Sequence, residues 1–198
     1  PTAFVAKLDG VFATPPCFDE SYYRQVIHEI REMQIMNFGQ YAHGNQPIQH
    51  MVYLYPYAGA AWKTQYWVRE VMERLYTPAP DGYCGDEDNG QTSAWYVFSA
   101  LGFYPVCPAS GEYVLGTPLF KQATVTFEDG RKLVIHAPEN SARNRFVKAV
   151  KVNGAAYTRP AICSDLLKKG ATLELDMTDK PQPQSELRAE DRPYSLTK

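Results

Sequence analysis

The chain has 198 residues, 44% hydrophobic and 13% aromatic, which is enough to bury a core and excludes a disordered tail. Its 20 basic and 22 acidic residues give a net charge of -2 with no phosphate-tracking basic stripe, so nucleic acid is not an expected partner. Apolar runs such as 94–101 fall short of the roughly 20 residues that span a bilayer, so no membrane anchor is expected.

The opening Pro1-Thr2-Ala3-Phe4 is not a natural start, because an intact reading frame begins with Met; a processed chain or a fragment is expected. From residue 19 to about 107 the apolar pattern is helical. Tyr23, Val26, Ile27 and Ile30 recur at three and four residues, as do Trp67, Val71, Met72 and Leu75 in 64–76. Thr77-Pro78 stops that second helix, and a third is predicted over 91–101 with Gly102 as its left-handed C-terminal cap.

After Pro108 the period changes to two. Strand-like runs 124–127 and 132–136 flank Asp129-Gly130, a hairpin signal, and 147–152 leads to a second one at Asn153-Gly154. Residues 171–177 alternate again, with Leu173, Leu175 and Met177 on one face. Helices first and antiparallel strands after define an α+β chain: a helical part over 1–108, a sandwich-like antiparallel β region over 109–179, and a loosely ordered tail over 180–198. The helices are too few to close on themselves and are expected to complete an array begun by missing upstream sequence. Cys17, Cys84, Cys107 and Cys163 lack Cys-x-x-Cys spacing, which disfavours structural zinc and leaves buried thiols or a Cys84–Cys107 disulfide open.

The most unusual stretch is 81–95, where Asp86, Glu87 and Asp88 stand between Gly85 and Gly90 just ahead of a helix. In an extended loop residues two apart point the same way, so Asp86 and Asp88 are expected to face one cavity and Glu87 another direction. Two like charges in one place raise the proton affinity of at least one, which suits a general base, and carboxylate oxygens also suit a hard cation such as calcium. A plainer reading competes: acids before a helix cap its amides and complement its dipole.

The motif Gly85-Asp86-Glu87-Asp88-Asn89-Gly90-Gln91-Thr92-Ser93-Ala94-Trp95-Tyr96, followed by Phe98-Ser99-Ala100-Leu101-Gly102-Phe103-Tyr104-Pro105-Val106, closely resembles the signature of the family-92 glycoside hydrolases, exo-acting α-mannosidases. An upstream stretch agrees, with Gly44-Asn45-Gln46-Pro47, His50, Tyr53-Leu54-Tyr55, Tyr57-Ala58-Gly59 and Trp62-Lys63-Thr64-Gln65. The resemblance runs over roughly 1–178 and implies the final helices of a catalytic (α/α)6 barrel followed by strands.

It also implies inverting hydrolysis of terminal α-mannosides on mannose-containing glycans, with a bound Ca2+. Residue by residue, Asp88 is the expected principal base and Asp86 its assistant. The general acid is expected in an upstream aromatic-rich motif, so the missing N-terminal part of the same protein is a required partner and this chain alone is expected to be inactive. Asn45 and Gln46 are the candidate metal neighbours, although many relatives carry Glu at the place of Gln46. His50, His43, Trp62, Lys63 and Glu87 are the candidate substrate-binding residues, while Trp95 is expected in the core and Glu70 and Glu73 in solvent. Family habit suggests a periplasmic or extracellular location. The alternative is a non-catalytic carbohydrate-binding or structural module with a calcium-stabilised acidic loop.

Overall fold

Apolar residues at helical spacing build the first part of the computed structural model, which describes residues 1–183 and 187–196. The parts of the expected loose tail at 184–186 and 197–198 lie outside the described residues. Helices α1 (Thr2–Ala13), α2 (His28–Met36), α3 (Ala61–Arg74) and α4 (Gln91–Leu101) follow in order, with 3-10 segments at Gln46–Tyr53 and Tyr55–Ala58 between α2 and α3. Leu8, Val52, Tyr53, Val68, Val71 and Trp95 form one core, and Phe12 stacks on Trp67 at 3.7 Å to tie α1 to α3. Each such side chain contributes about 1.5–3 kcal/mol on full burial.

Two helix expectations need correction. α1 precedes the span in which helix was predicted, and the helix expected from residue 19 starts only at His28. Ser21–Tyr23 makes a single 3-10 turn, Arg24 turns left-handed at φ 55°, and Val26 is exposed. The aromatic and β-branched run Tyr22, Tyr23, Val26 and Ile27 loses rotamer freedom in a helix, which explains the late start. α4 coincides with its predicted span, and the Gly102 amide (φ 97°) donates to the carbonyls of Phe98 and Ser99 as its C-terminal cap.

The strands make two layers. β1 (Phe103–Tyr104), β2 (Glu112–Leu115) and β7 (Ala161–Cys163) form a three-stranded sheet. β3 (Gln122–Thr126), β4 (Lys132–His136), β5 (Phe146–Val152), β6 (Ala155–Tyr157) and β8 (Ala171–Thr178) form a second sheet in the order β3-β4-β8-β5-β6. Both predicted hairpins are present, and Asn153 and Gly154 are successively left-handed (φ 50° and 80°), as a type I′ turn requires. The β4–β8 ladder is parallel, correcting the purely antiparallel expectation; the chain runs through β5, β6, β7 and α5 (Ser164–Lys168) before β8, a connection long enough for a crossover. Leu173, Leu175 and Met177 of β8 point inward and share a core with Phe103 and Ile162 of the other sheet.

A polar seam joins helices to strands. Arg69, 3% exposed, donates from Nη1 to the Pro118 carbonyl and to Asn140 Oδ1, both at 3.0 Å. Glu70 and Glu73, expected in solvent, instead hold Arg145 at 2.6 and 3.3 Å. Beyond 180, Asp191 is buried against Arg188 at 2.6 Å, and the Tyr194 amide donates to Glu112 at 2.8 Å, so the described part of this segment is anchored. All four cysteines are free thiols, so the Cys84–Cys107 bridge is absent. No helix among the described residues is long and apolar enough to cross a membrane.

Candidate active site

The acidic loop is not extended. Asp88, Asn89 and Gly90 are all left-handed (φ 53°, 57° and 98°), a conformation that Asp and Asn tolerate better than bulkier residues. The alternation argument for Asp86 and Asp88 therefore does not describe this turn. What the loop does achieve is a division of labour among its carboxylates.

Glu87 takes the capping role. Its Oε2 accepts from the Gly90 amide at 2.7 Å, and its Oε1 accepts from Ser93 Oγ at 2.6 Å and the Ser93 amide at 3.3 Å. The Ser93 hydroxyl first, then the Gly90 amide, holds its carboxyl below the usual range. Its oxygens, expected at a sugar, face the first turn of α4. Asp86 and Asp88 are both exposed, and Asp86 has one weak polar neighbour, His28 Nε2 at 3.9 Å.

Two glycines set this loop against the loop that carries Asn45 and Gln46. A Cβ on Gly85 would lie 2.6 Å from the Gly44 Cα, so both positions must lack a side chain for the backbones to meet. Gln49 fastens the same junction: its Nε2 donates to the His43 carbonyl and to Thr92 Oγ1, both at 3.1 Å, and Thr92 Oγ1 donates to the Asp86 carbonyl at 3.1 Å. Trp95, fully buried as expected, donates its indole N–H to the Gln49 carbonyl at 3.0 Å.

His43 lies beneath this junction with no exposure. Its Nδ1 hydrogen-bonds the Tyr41 hydroxyl and its Nε2 the Tyr76 hydroxyl, both at 2.8 Å, one ring nitrogen donating and the other accepting. Both ring nitrogens are thus committed and none faces a sugar hydroxyl. Burial lowers the imidazole to about 3, so the ring is neutral.

A cleft of about 590 Å³ opens beside the loop, lined by Glu32, Arg74, Asp81, Tyr83, Cys84 and Asp86 among others. Glu32 and His28, both on α2, were not singled out by the sequence; their four-residue spacing would have put them on one face had the true helix start been known. Burial, with Asp86, Glu29 and Asp88 adding to it against the opposing His28, raises the Glu32 carboxyl above its ordinary value. Asn45 and Gln46 are half-buried at the start of the 3-10 segment, and the buried Gln46 Nε2 has no hydrogen-bond partner. His50 is half-buried in the same segment. Trp62 and Lys63 lie elsewhere, in the first turn of α3 rather than a loop, lining a separate cleft of about 380 Å³ with Asp9, Phe12 and Tyr66. Lys63 pairs there with Asp9 at 2.6 Å, with its Nζ 5.2 Å from the centre of the Trp62 ring.

Exposed carboxylates on a glycine-framed turn, with Asp86 lining an open cleft, are groups of the kind that general acid–base chemistry uses. The chain belongs to glycosyl hydrolase family 92: its residues 1–179 match the model of that family's catalytic domain. It is similar to the family GH92 inverting mannosidase BT2199 from Bacteroides thetaiotaomicron, with 50% identity and a TM-score of 0.81 over 98% of this chain and 26% of that one. It is also similar to the family GH92 alpha-mannosidase BT3965 of the same organism, with 33% identity and a TM-score of 0.82 over 98% of this chain and 24% of that one. In complex with mannoimidazole, BT3965 matches with a TM-score of 0.84. The chain thus spans about a quarter of the length of these structures. No curated protein matched the chain.

Proposed function

We propose that this chain is the base-bearing C-terminal part of an inverting exo-α-mannosidase, contributing the last helices of an (α/α)6 barrel and the strands beside it. The observation that carries the reading is the sorting of the three loop carboxylates: Glu87 caps α4 while Asp86 and Asp88 remain in solvent, Asp86 on the cleft wall. The similarity to a structure described as an inverting mannosidase supports it.

Inversion needs a base that activates water on one face of the sugar and an acid on the leaving oxygen, with carboxyls about 6.5–9.5 Å apart. Asp88, assisted by Asp86, takes the water's proton as its oxygen attacks the anomeric carbon. The α3 carboxylates do not furnish the acid, because Glu70 and Glu73 are held by Arg145. The family resemblance implies that the acid comes from upstream polypeptide, so in this reading the chain alone does not turn over mannosides. Of the two motif histidines, His50 is the one left to meet a sugar hydroxyl, since His43 is enclosed.

In this reading the loop at 45–46 is where a calcium ion would be held, through neutral oxygen donors and further ligands from outside this loop. No cluster of three His, Cys, Asp or Glu suited to a metal occurs among the described residues. Asn45 and Gln46 would each offer a side-chain carbonyl oxygen to the ion, and the buried Gln46 Nε2 has no partner. A calcium ion held by Asn45 and Gln46 would supply a hard Lewis acid for the oxygens of a bound sugar. A periplasmic or extracellular location suits glycan substrates.

The test uses the full-length protein and an aryl α-mannoside. Calcium-dependent release, the β-anomer as first product by NMR, and a loss of about 10²–10⁴ in kcat for Asp88→Asn are expected. An α-anomer as first product, or full turnover by Asp88→Asn, refutes the assignment.

A further inference from the structure

Glu32 is a half-buried carboxylate that neither motif explains. Its carboxylate makes no hydrogen bond or ion pair with any described residue. Its position is nevertheless well defined. Oε2 lies 2.7 Å from where a Cβ on Gly85 would stand and 2.8 Å from the corresponding point on Gly44, so the carboxylate fills the notch that the two glycines leave at the junction of the motif loops. Asp86 follows Gly85 directly and shares the cleft with Glu32.

We propose that Glu32 is a positioning residue of the hydrolytic site, keying the 44–46 loop to the acidic loop and coupling its charge to Asp86. The inference rests on the hydrolase reading above and adds a third carboxylate to it. The groups facing Glu32 are His28 and Glu29 from its own helix, Cys84, Asp86 and Asp88 from the acidic loop, and Arg74 and Asp81 on the cleft wall. Among these, Asp86, which shares the cleft, favours protonation of Glu32. Shape and charge can be removed separately. Glu32→Gln keeps the key and deletes its charge, whereas Glu32→Ala deletes both.

The pH dependence of kcat/KM for an aryl α-mannoside, measured on the full-length enzyme, distinguishes this from simple packing. Glu32→Gln moves the acid limb to lower pH by about half a unit to one unit with KM little changed. Glu32→Ala also lowers kcat, by about tenfold or more, as the loops lose their spacer. A second readout needs no turnover: carbodiimide labelling of Glu32, followed by mass spectrometry, reports its protonation, and Asp86→Asn moves the labelling midpoint to lower pH. With an active wild type, superimposable profiles for wild type and Glu32→Gln overturn the proposal. An inactive wild type overturns the hydrolase reading instead, and the labelling midpoint, shifted or unshifted, then decides for or against Glu32.

Discussion

Gly85→Ala is the sharpest perturbation of the site geometry. The added Cβ meets the Gly44 Cα at 2.6 Å and the Gly44 carbonyl oxygen at 2.9 Å, both backbone atoms that cannot swing aside. Ordinary contact begins at 3.4 Å, so the two loops must part by about 0.8 Å, carrying Asp86 with them. A misplacement of about 1 Å at a reacting group costs about 10²-fold, so kcat/KM for an aryl α-mannoside is expected to fall by about two orders of magnitude in the full-length enzyme. Gly130→Ala provides the control. Gly130 is left-handed at φ 81° with nothing within 4 Å of its Cβ position, and it turns the β3–β4 hairpin away from the cleft. It loses about 1–2 kcal/mol of stability to backbone strain without loss of kcat/KM. Wild-type kcat/KM in Gly85→Ala, or equal losses in both variants, would refute the claim that apposed glycines set the catalytic geometry.

Three further outcomes follow from the polar groups. Glu87→Gln melts lower than wild type at neutral pH. Because the folded-state carboxyl titrates below its unfolded value, its contribution is present above the unfolded value of about 4.3 and fades as pH falls through the folded one, so melting curves of the two proteins converge in acid. His43 is neutral when folded, titrating at about 3, but takes up a proton when unfolded near 6.5. Wild-type stability therefore falls as pH drops from about 6.5 towards 3, and His43→Leu shows a shallower slope in melts across that range. Thiol titration without reductant finds four free thiols in the denatured chain; in the native protein Cys17 and Cys163 react readily, while burial raises the Cys84 thiol to about 11 and slows it.

Local chemistry made much of the fold readable. Gly102 ends α4, and the Asp129-Gly130 and Asn153-Gly154 turns fix hairpin registers, because each depends on backbone angles of a few adjacent residues. The α2 start failed for the converse reason: Tyr23, Val26 and Ile27 match a helical period, but their β-branched and aromatic side chains do not favour the state. The parallel β4–β8 ladder was hidden because strand partners separated by a crossover leave no mark at either strand.

The site shows the same boundary more sharply. The motif pointed to Asp86 and Asp88, yet the argument that aimed them together assumed an extended chain, whereas Asp88 is left-handed and exposed, with Glu87 occupied at the helix end. Trp62 and Lys63 belong to the same upstream motif as Asn45 but sit on α3 with Asp9, since motif membership does not determine which cleft a residue lines. Gly44, Gly85 and Glu32 come from three separate segments and meet through a void whose shape no single segment encodes. Two missing side chains and one unpaired carboxylate thus meet beside Asp86, and under the proposed reading Gly85→Ala and Glu32→Gln separate steric from electrostatic control of its placement.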